Sequence, residues 1–128
     1  MNHNKQLNDF LPNKKASFFK EFTKKAVQKY ISEEEVIKCI KTVYDPEIPV
    51  NLYDLGLIYK INIIKNNVEI DMTLTNPNCP VAGQMPESVG KSIESLDDLM
   101  SIKVNLVWEP KWHKNLMSED AKLALDIF

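Results

Sequence analysis

The sequence contains no arginine, and all 16 of its basic residues are lysines. The planar guanidinium of arginine suits bidentate contacts with phosphates and base edges, so its absence weighs against nucleic-acid recognition. Glycine is also scarce, with three residues in 128, and no glycine-rich phosphate-binding motif is present. We therefore expect that neither nucleic acid nor a cradled phosphate is the ligand.

Cysteine and long apolar runs are equally limited. The two cysteines, Cys39 and Cys79, are too few for a disulfide framework and lack C-x-x-C spacing, which favours a reducing compartment. No apolar run approaches the roughly 18 residues of a membrane span, and no secretory signal is recognisable. We therefore expect a cytoplasmic protein without a membrane span.

Charge is distributed unevenly along the chain. Residues 1–30 contain seven lysines and two acids, a net charge of +5, whereas residues 31–128 contain nine lysines and sixteen acids, a net charge of −7. The length and the 44% hydrophobic content suit one domain with a real core. These features predict an N-terminal appendage over residues 1–30 and a single domain over residues 31–128.

The appendage has three competing interpretations. Phe18, Phe22 and residues 25–30 could form a short amphipathic helix that docks on the domain. The lysines could instead contact a partner or a membrane surface. A transit peptide is the third interpretation, and the missing arginine and the acids present weigh against it.

Hydrophobic periodicity and turn residues predict a two-layer α+β domain. Ser32 and Glu35 form a capping box that opens a helix, which should end near Tyr44 because Asp45 precedes a proline. The predicted order is α-β-β-α-β-α, with three strands in a mixed or antiparallel sheet covered by helices. The strands are expected at residues 57–64, 68–74 and 102–108, with a hairpin turn at 65–67, a second helix from about 83 to 96 and a last helix after Ser118.

Cys79 falls where the second strand has ended and the second helix has not yet begun. Asn76-Pro77-Asn78 stops the strand, and helical spacing of apolar residues begins at Val81. Unpaired N–H groups at a helix start stabilise a thiolate. Position alone leaves two possibilities open, a functional thiol and a buried structural one.

The segment from Asp45 to Gly56 follows neither period and contains Pro46 and Pro49, which predicts a fixed irregular loop. Hereafter this segment is called the proline loop. Its carboxylates (Asp45, Glu47 and Asp54) either support turns or line a site. Because the loop precedes a strand that pairs with the one ending before Cys79, we expect the loop to lie beside Cys79.

Three motifs resemble one known family, the small cytosolic iron–sulfur cluster assembly factors of the SufT/PaaD-like, MIP-type kind. They are DPEIPVNLYDLGLIY at residues 45–59, TLTNPNCPVAG at 73–83, and LVWEPKW with MSEDA from residues 106 and 117. The resemblance covers about residues 33–128. PaaD-type members often continue into a cysteine-rich segment that is not present here, which favours the SufT type.

This resemblance implies an accessory role in iron–sulfur protein maturation, without enzymatic activity. It makes Cys79 the functional thiol and a transient ligand of iron or a cluster, beside a set of neighbouring motif residues: Asp45, Pro46, Glu47, Asp54, Thr75 and Pro80. It implies no stably bound cofactor, only a transient iron–sulfur cluster. One cysteine cannot complete a four-cysteine shell, so a cluster would need a partner, a small thiol or a homodimer.

The implied partners are the iron–sulfur assembly machinery and client apoproteins. Two other functions stay open at this point. The chain could be a non-enzymatic interaction module that recruits clients, with Cys79 only stabilising its turn. It could also be a subunit of a PaaD-like system for oxygenase maturation.

Overall fold

The computed structural model describes residues 15–22, 29–46, 48–75 and 84–125. Cys79, Glu47 and Pro80 lie outside these ranges. The described chain forms four strands, three α-helices and one short 3-10 helix. They are β1 (Lys15–Glu21), α1 (Glu33–Ile40), β2 (Ile58–Ile64), β3 (Asn67–Met72), α2 (Gln84–Ile93), β4 (Ser101–Leu106), the 3-10 helix Lys114–Leu116 and α3 (Glu119–Ala124).

The strands form one mixed sheet in the order β1-β4-β3-β2. β3 and β4 are parallel, and the other two pairings are antiparallel. The α+β class and the mixed sheet are therefore confirmed. The prediction of three strands is wrong, because β1 adds a fourth strand and the order begins with β.

β1 also replaces the helix predicted around Phe18 and Phe22. Its backbone pairs with the edge of β4, with Phe18 opposite Val104, so a neighbouring strand supplies hydrogen bonds that no local pattern revealed. The Phe18 ring lies so close to Gly90 of α2 that a Cβ at that position would overlap it. The boundary between residues 30 and 31 stays a prediction, because pairing in the sheet does not establish whether residues 31–128 fold alone.

The helices cover one face of the sheet and bury its core. Val36 and Ile40 of α1 and Val89 and Ile93 of α2 are fully buried, as are Ile70, Met72, Ile102 and Val104 of the sheet. Pro86 fits into the first turn of α2, where its missing N–H needs no partner. None of the helices in the described ranges is long and apolar enough to cross a membrane.

The capping box at the start of α1 is confirmed. The Ser32 Oγ accepts a hydrogen bond from the Glu35 N–H at 3.2 Å, and the Glu35 carboxylate accepts one from the Ser32 N–H at 3.0 Å. Hydrogen bonding from the Ser32 N–H, and then from Lys29, lowers the pKa of the Glu35 carboxyl. The helix ends at Ile40, earlier than the sequence predicted.

Asn66 organises the end of the sheet where the β2–β3 hairpin turns. Lys65 and Asn66 both have positive φ, 49° and 64°, as a tight two-residue hairpin turn requires. The Asn66 side chain is fully buried, accepts from Ile31 N–H at 2.9 Å, and donates to the carbonyls of Lys29 (2.7 Å) and Asp98 (3.0 Å). The Asn66 side chain therefore joins the β2–β3 turn to two distant parts of the chain, residues 29–31 and residue 98.

Replacing Asn66 with alanine should lower the free energy of unfolding by about 3 kcal/mol, from unsatisfied buried groups and left-handed backbone strain. Urea denaturation would measure the loss. Asn66→Gly separates the two causes, because glycine tolerates the backbone angle but loses the same hydrogen bonds. Asn62→Ala, at an exposed position on β2, is the matched control. A cost for Asn66→Ala as small as that of the control would contradict this assignment.

Candidate functional site

The candidate site lies where the parallel strands β3 and β4 end. Their registers run together from Asn67 opposite Ser101 to Met72 opposite Leu106, so the residues after both strands emerge side by side. The Val107 N–H donates to the Met72 carbonyl at 2.8 Å, and the Thr73 N–H donates to the Leu57 carbonyl at 2.9 Å. The carboxyl ends of adjacent parallel strands are a common position for binding sites in α/β sheets.

A cleft of about 340 Å³ opens at this end of the sheet. We call it the tryptophan cleft. Its lining comprises Thr73, Leu74, Thr75, Trp108, Glu109, Lys111 and Trp112. Leu74 is buried, whereas Trp108 is 39% exposed, which is a large open area for an aromatic side chain. The cleft thus combines an apolar floor with one carboxylate-bearing and one ammonium-bearing side chain in its lining.

Hydrogen bonds attach the loop that carries the two tryptophans to the proline loop. The Trp112 Nε1 donates to the Leu55 carbonyl at 2.7 Å, and the Ser118 N–H donates to the Asp54 carbonyl at 2.8 Å. At the other side, the Tyr59 hydroxyl donates to the Pro110 carbonyl at 2.7 Å. Burial raises the pKa of Tyr59 above its ordinary value of 10.0, because the charged phenolate is less well solvated there.

Within the proline loop, the described carboxylates support turns. The Asp45 Oδ1 accepts from the Ile48 N–H at 2.9 Å. The Asp54 Oδ2 accepts from the Asn51 side-chain amide at 2.8 Å, and the Asp54 N–H donates back to the Asn51 side chain at 2.9 Å. These contacts explain how a segment without regular structure keeps a fixed shape.

The structure describes four of the seven predicted site residues. Thr75 lines the tryptophan cleft, and Asp45, Pro46 and Asp54 lie in the proline loop, which reaches the cleft through the Leu55 carbonyl. Cys79, Glu47 and Pro80 fall outside the described residues. The expected proximity of Asp45 and Glu47 to Cys79 therefore stays a prediction.

The sequence did not single out Trp108, Glu109, Lys111 and Trp112 as residues that line a site. They stand in a family motif, but the motif alone does not say what they contact. Their position beside Thr75 follows from the parallel pairing of β3 and β4. The sequence did not determine the direction of β4, so it could not predict this position.

Two other side chains with reactive groups, those of His113 and Cys39, do not line the tryptophan cleft. The exposed His113 Nδ1 accepts from the Asn115 N–H at 3.2 Å. The half-buried Cys39 Sγ lies 3.7 Å from the Ser95 Oγ. Within residues 15–22, 29–46, 48–75 and 84–125, no three His, Cys, Asp or Glu side chains are grouped to hold a metal ion.

Replacing Trp112 with phenylalanine should lower the free energy of unfolding by about 1–2 kcal/mol, because the Leu55 carbonyl loses its donor. Trp108→Phe is the matched control, since Trp108 is more exposed and no hydrogen bond of its indole is described; we expect a change within about 0.5 kcal/mol. Urea denaturation of both variants measures the difference. Equal costs would show that the Trp112 hydrogen bond does not hold the loop.

Fold and site together define a class: a small two-layer α+β domain with its cleft at the ends of a parallel strand pair. Residues 33–106 match the model of a family described as iron–sulfur cluster assembly protein. The chain belongs to this family. The match includes the three cleft residues that follow β3 (Thr73, Leu74 and Thr75) and ends at Leu106, the last residue of β4.

Curated relatives agree with this membership. A protein of Porphyromonas gingivalis called Fe-S protein maturation auxiliary factor is 47% identical over 95 residues, covering 73% of this chain and 90% of the relative. A Staphylococcus aureus protein called Fe-S protein maturation auxiliary factor SufT is 38% identical over 86 residues, covering 66% of this chain and 98% of the relative.

A solved structure shares the fold. The Bacillus anthracis domain called DUF59, a domain of unknown function, superposes with a TM-score of 0.70 at 39% identity. It covers 75% of this chain and 92% of its own. A Thermotoga maritima protein called a conserved hypothetical protein gives a TM-score of 0.67 at 31% identity, covering 77% and 97% of the two chains.

Proposed function

We propose that this protein is an auxiliary factor in the maturation of iron–sulfur proteins, which assists cluster assembly or transfer to client apoproteins. The observation that carries the proposal is the similarity, at 47% and 38% identity, to two relatives called maturation factors, which covers 90% and 98% of the relatives and 73% and 66% of this chain. On this proposal the partners are the assembly machinery and the clients, and the protein acts in the cytoplasm.

The proposed chemistry is transient handling of a cluster as cargo. Thiolates are the usual protein ligands of iron–sulfur iron, and four of them complete a typical shell. Cys79 supplies one such ligand per chain. The others must come from the client, from a small thiol or from a second copy of this chain. A shell assembled from several sources favours release, so we propose no stably bound cofactor.

The tryptophan cleft supports a second candidate function, a module that recruits clients without enzymatic activity. An exposed tryptophan over an apolar floor is typical of protein-binding surfaces. In that case the cleft contacts the client and Cys79 has a supporting role.

Removing the protein from its own cells should lower the activity of iron–sulfur enzymes and leave matched enzymes without clusters unchanged. Re-expression of the full chain should restore the activity. Anaerobic reconstitution of the purified protein, with iron and sulfide counted per chain, should give a cluster that a chelator removes readily. Unchanged iron–sulfur enzyme activity in the deletion strain would overturn the proposal.

A further inference from the structure

The outer edge of β2 presents backbone groups that β3 does not use. β2 is the last strand in the order β1-β4-β3-β2, and β3 is its one partner among the described residues. A two-residue turn joins Ile64 to Asn67, and residues that flank such a turn exchange both backbone hydrogen bonds. Because bonded and non-bonded pairs alternate, the N–H and C=O groups of Ile61 and Ile63 point away from β3.

Hydrogen bonds on the other side of β3 agree with this alternation. The Asn66 carbonyl accepts from the Met100 N–H at 2.8 Å, beside the start of β4. The Met72 carbonyl accepts from the Val107 N–H at 2.8 Å, just after the end of β4. The even-numbered residues of β3 therefore face β4, and its odd-numbered residues bond to the even-numbered residues of β2.

β2 lacks the features that keep an edge strand from pairing with another chain. Its seven residues contain no proline and one charge, that of Lys60. The strand at the opposite edge, β1, has three charges in seven residues. In β2, Ile64 is 59% exposed, and Ile61 and Ile63 are only partly buried. A long apolar edge with unpaired backbone groups is a surface for a further strand.

The sequence of β2 fits a second copy of itself in one antiparallel register. Pairing about Ile61 places Lys60 of each copy opposite Asn62 of the other. Pairing about Lys60 would instead set two like charges directly opposite each other, which is unfavourable. Pairing about Asn62 would set the Lys60 ammonium group opposite the apolar Ile64. The register about Ile61 avoids both conflicts.

The charges on the sheet face opposite the helices are complementary in this register. Within one chain, Asp71 is the β3 neighbour of Lys60, and Glu69 is the β3 neighbour of Asn62. In the paired sheet, each Lys60 therefore lies between its own Asp71 and the Glu69 of the second copy. Two strand spacings, about 10 Å, separate the backbones of Lys60 and that Glu69, a distance that the two side chains can span. The row across the interface consists of Lys103, Glu69 and Asn62 of one copy, followed by Lys60, Asp71 and Asn105 of the other.

We propose that the outer edge of β2 is an interface at which a second copy of this chain pairs antiparallel about Ile61. The two four-stranded sheets then form one continuous sheet of eight strands. The backbone groups of Ile61 and Ile63 bond to those of the second copy. The interface follows from the edge of β2 alone and does not depend on the proposed function.

Sedimentation equilibrium of the full chain tests the proposal. The parent should form dimers reversibly at a chain concentration of about 100 µM, as a small interface allows. A parent that stays monomeric at about 1 mM would overturn the proposal.

Two substitutions at Asn62 should change the dimer dissociation constant in opposite directions. Asn62→Lys should raise it about fivefold, because two like-charge pairs with Lys60 form across the interface. Asn62→Glu should lower it by a similar factor, because the same pairs become opposite in charge. Within one chain residue 62 faces Glu69, so Asn62→Lys should unfold in urea no earlier than the parent. Weaker association of both variants would contradict pairing about Ile61.

Phe19→Glu is the matched control on the opposite edge strand. Phe19 is 54% exposed and pairs with Lys103 of β4, which tolerates a carboxylate as its neighbour. This variant should leave the dissociation constant unchanged. A change as large as that of the Asn62 variants would place the interface at β1 and overturn the proposal.

Amide hydrogen exchange locates the interface directly. Between dilute and concentrated parent, protection of the Ile61 and Ile63 amides should rise about tenfold or more. Asn62→Lys should reduce this rise. Dimers without added protection at these two amides would place the interface elsewhere and overturn the proposal. Protection that appears only when another protein is added would mean that the edge binds a strand of that protein, which also overturns pairing between two copies.

Discussion

Replacing Cys79 with serine is expected to abolish the maturation of iron–sulfur enzymes in cells that depend on this protein. The free energy of unfolding should stay within about 1 kcal/mol of the parent value. A serine hydroxyl keeps its proton at neutral pH and cannot replace a thiolate as a ligand of iron. By sequence, Cys79 lies between Thr75 on the tryptophan cleft and Gln84 at the start of α2.

Complementation of a deletion strain measures the loss, with Cys39→Ser as the matched control. Cys39 lies on α1 beside Ser95, away from the tryptophan cleft, and its serine variant should complement fully. In the folded protein, an alkylating reagent should modify Cys79 faster than the half-buried Cys39. Full complementation by Cys79→Ser would favour the recruiting module, and Trp108→Ala would then be the variant that fails.

Replacing Gly56 with alanine should lower the free energy of unfolding by about 4 kcal/mol or more, from left-handed backbone strain and steric overlap. Gly56 has a φ of +80°, and an added Cβ would lie 2.7 Å from the Leu116 carbonyl carbon and 2.8 Å from its Cβ, besides overlapping the carbonyl oxygen. These are mainly backbone atoms, so the segment before α3 must move. Because domains are stable by about 5–15 kcal/mol, this is a large share of the total.

Gly90→Ala provides the matched control for this glycine. An added Cβ there would overlap the ring of Phe18, which is a side chain that can rotate, and alanine is favoured over glycine within a helix by about 1 kcal/mol. We therefore expect a cost well below that of Gly56→Ala. Urea denaturation of both variants gives the comparison. A Gly56→Ala cost no larger than the Gly90→Ala cost would contradict the steric argument.

The sequence was sufficient where local rules decide the structure. The capping box at Ser32 and the hairpin turn at Lys65 and Asn66 both follow from residue chemistry within a few positions. β1 could not be found in this way. Phe18 and Phe22 have helical spacing, and only the free edge of β4, far along the chain, makes the segment a strand.

The site was accessible from sequence only in part. The motif residue Thr75 was predicted to be a site residue, and it lies in the lining of the candidate cleft, although its role stays a prediction. Trp108 and Trp112 reach the same place because β4 runs parallel to β3, and a single sequence does not reveal strand direction. The hydrogen bond from Trp112 to the Leu55 carbonyl joins residues 57 positions apart, beyond the reach of any periodicity.

Asn66 has a consequence for how the molecule fluctuates. Its side chain joins the start of β3 to Lys29, Ile31 and Asp98, whereas the site lies beyond the other end of the same strand, at Thr73–Thr75. Local opening costs most where many buried bonds must break together. The free energy of opening should therefore fall along β3 from Asn67 towards Thr75. We therefore expect hydrogen exchange of the β3 amides to be slower at the Asn67 end than at the end that faces the cleft.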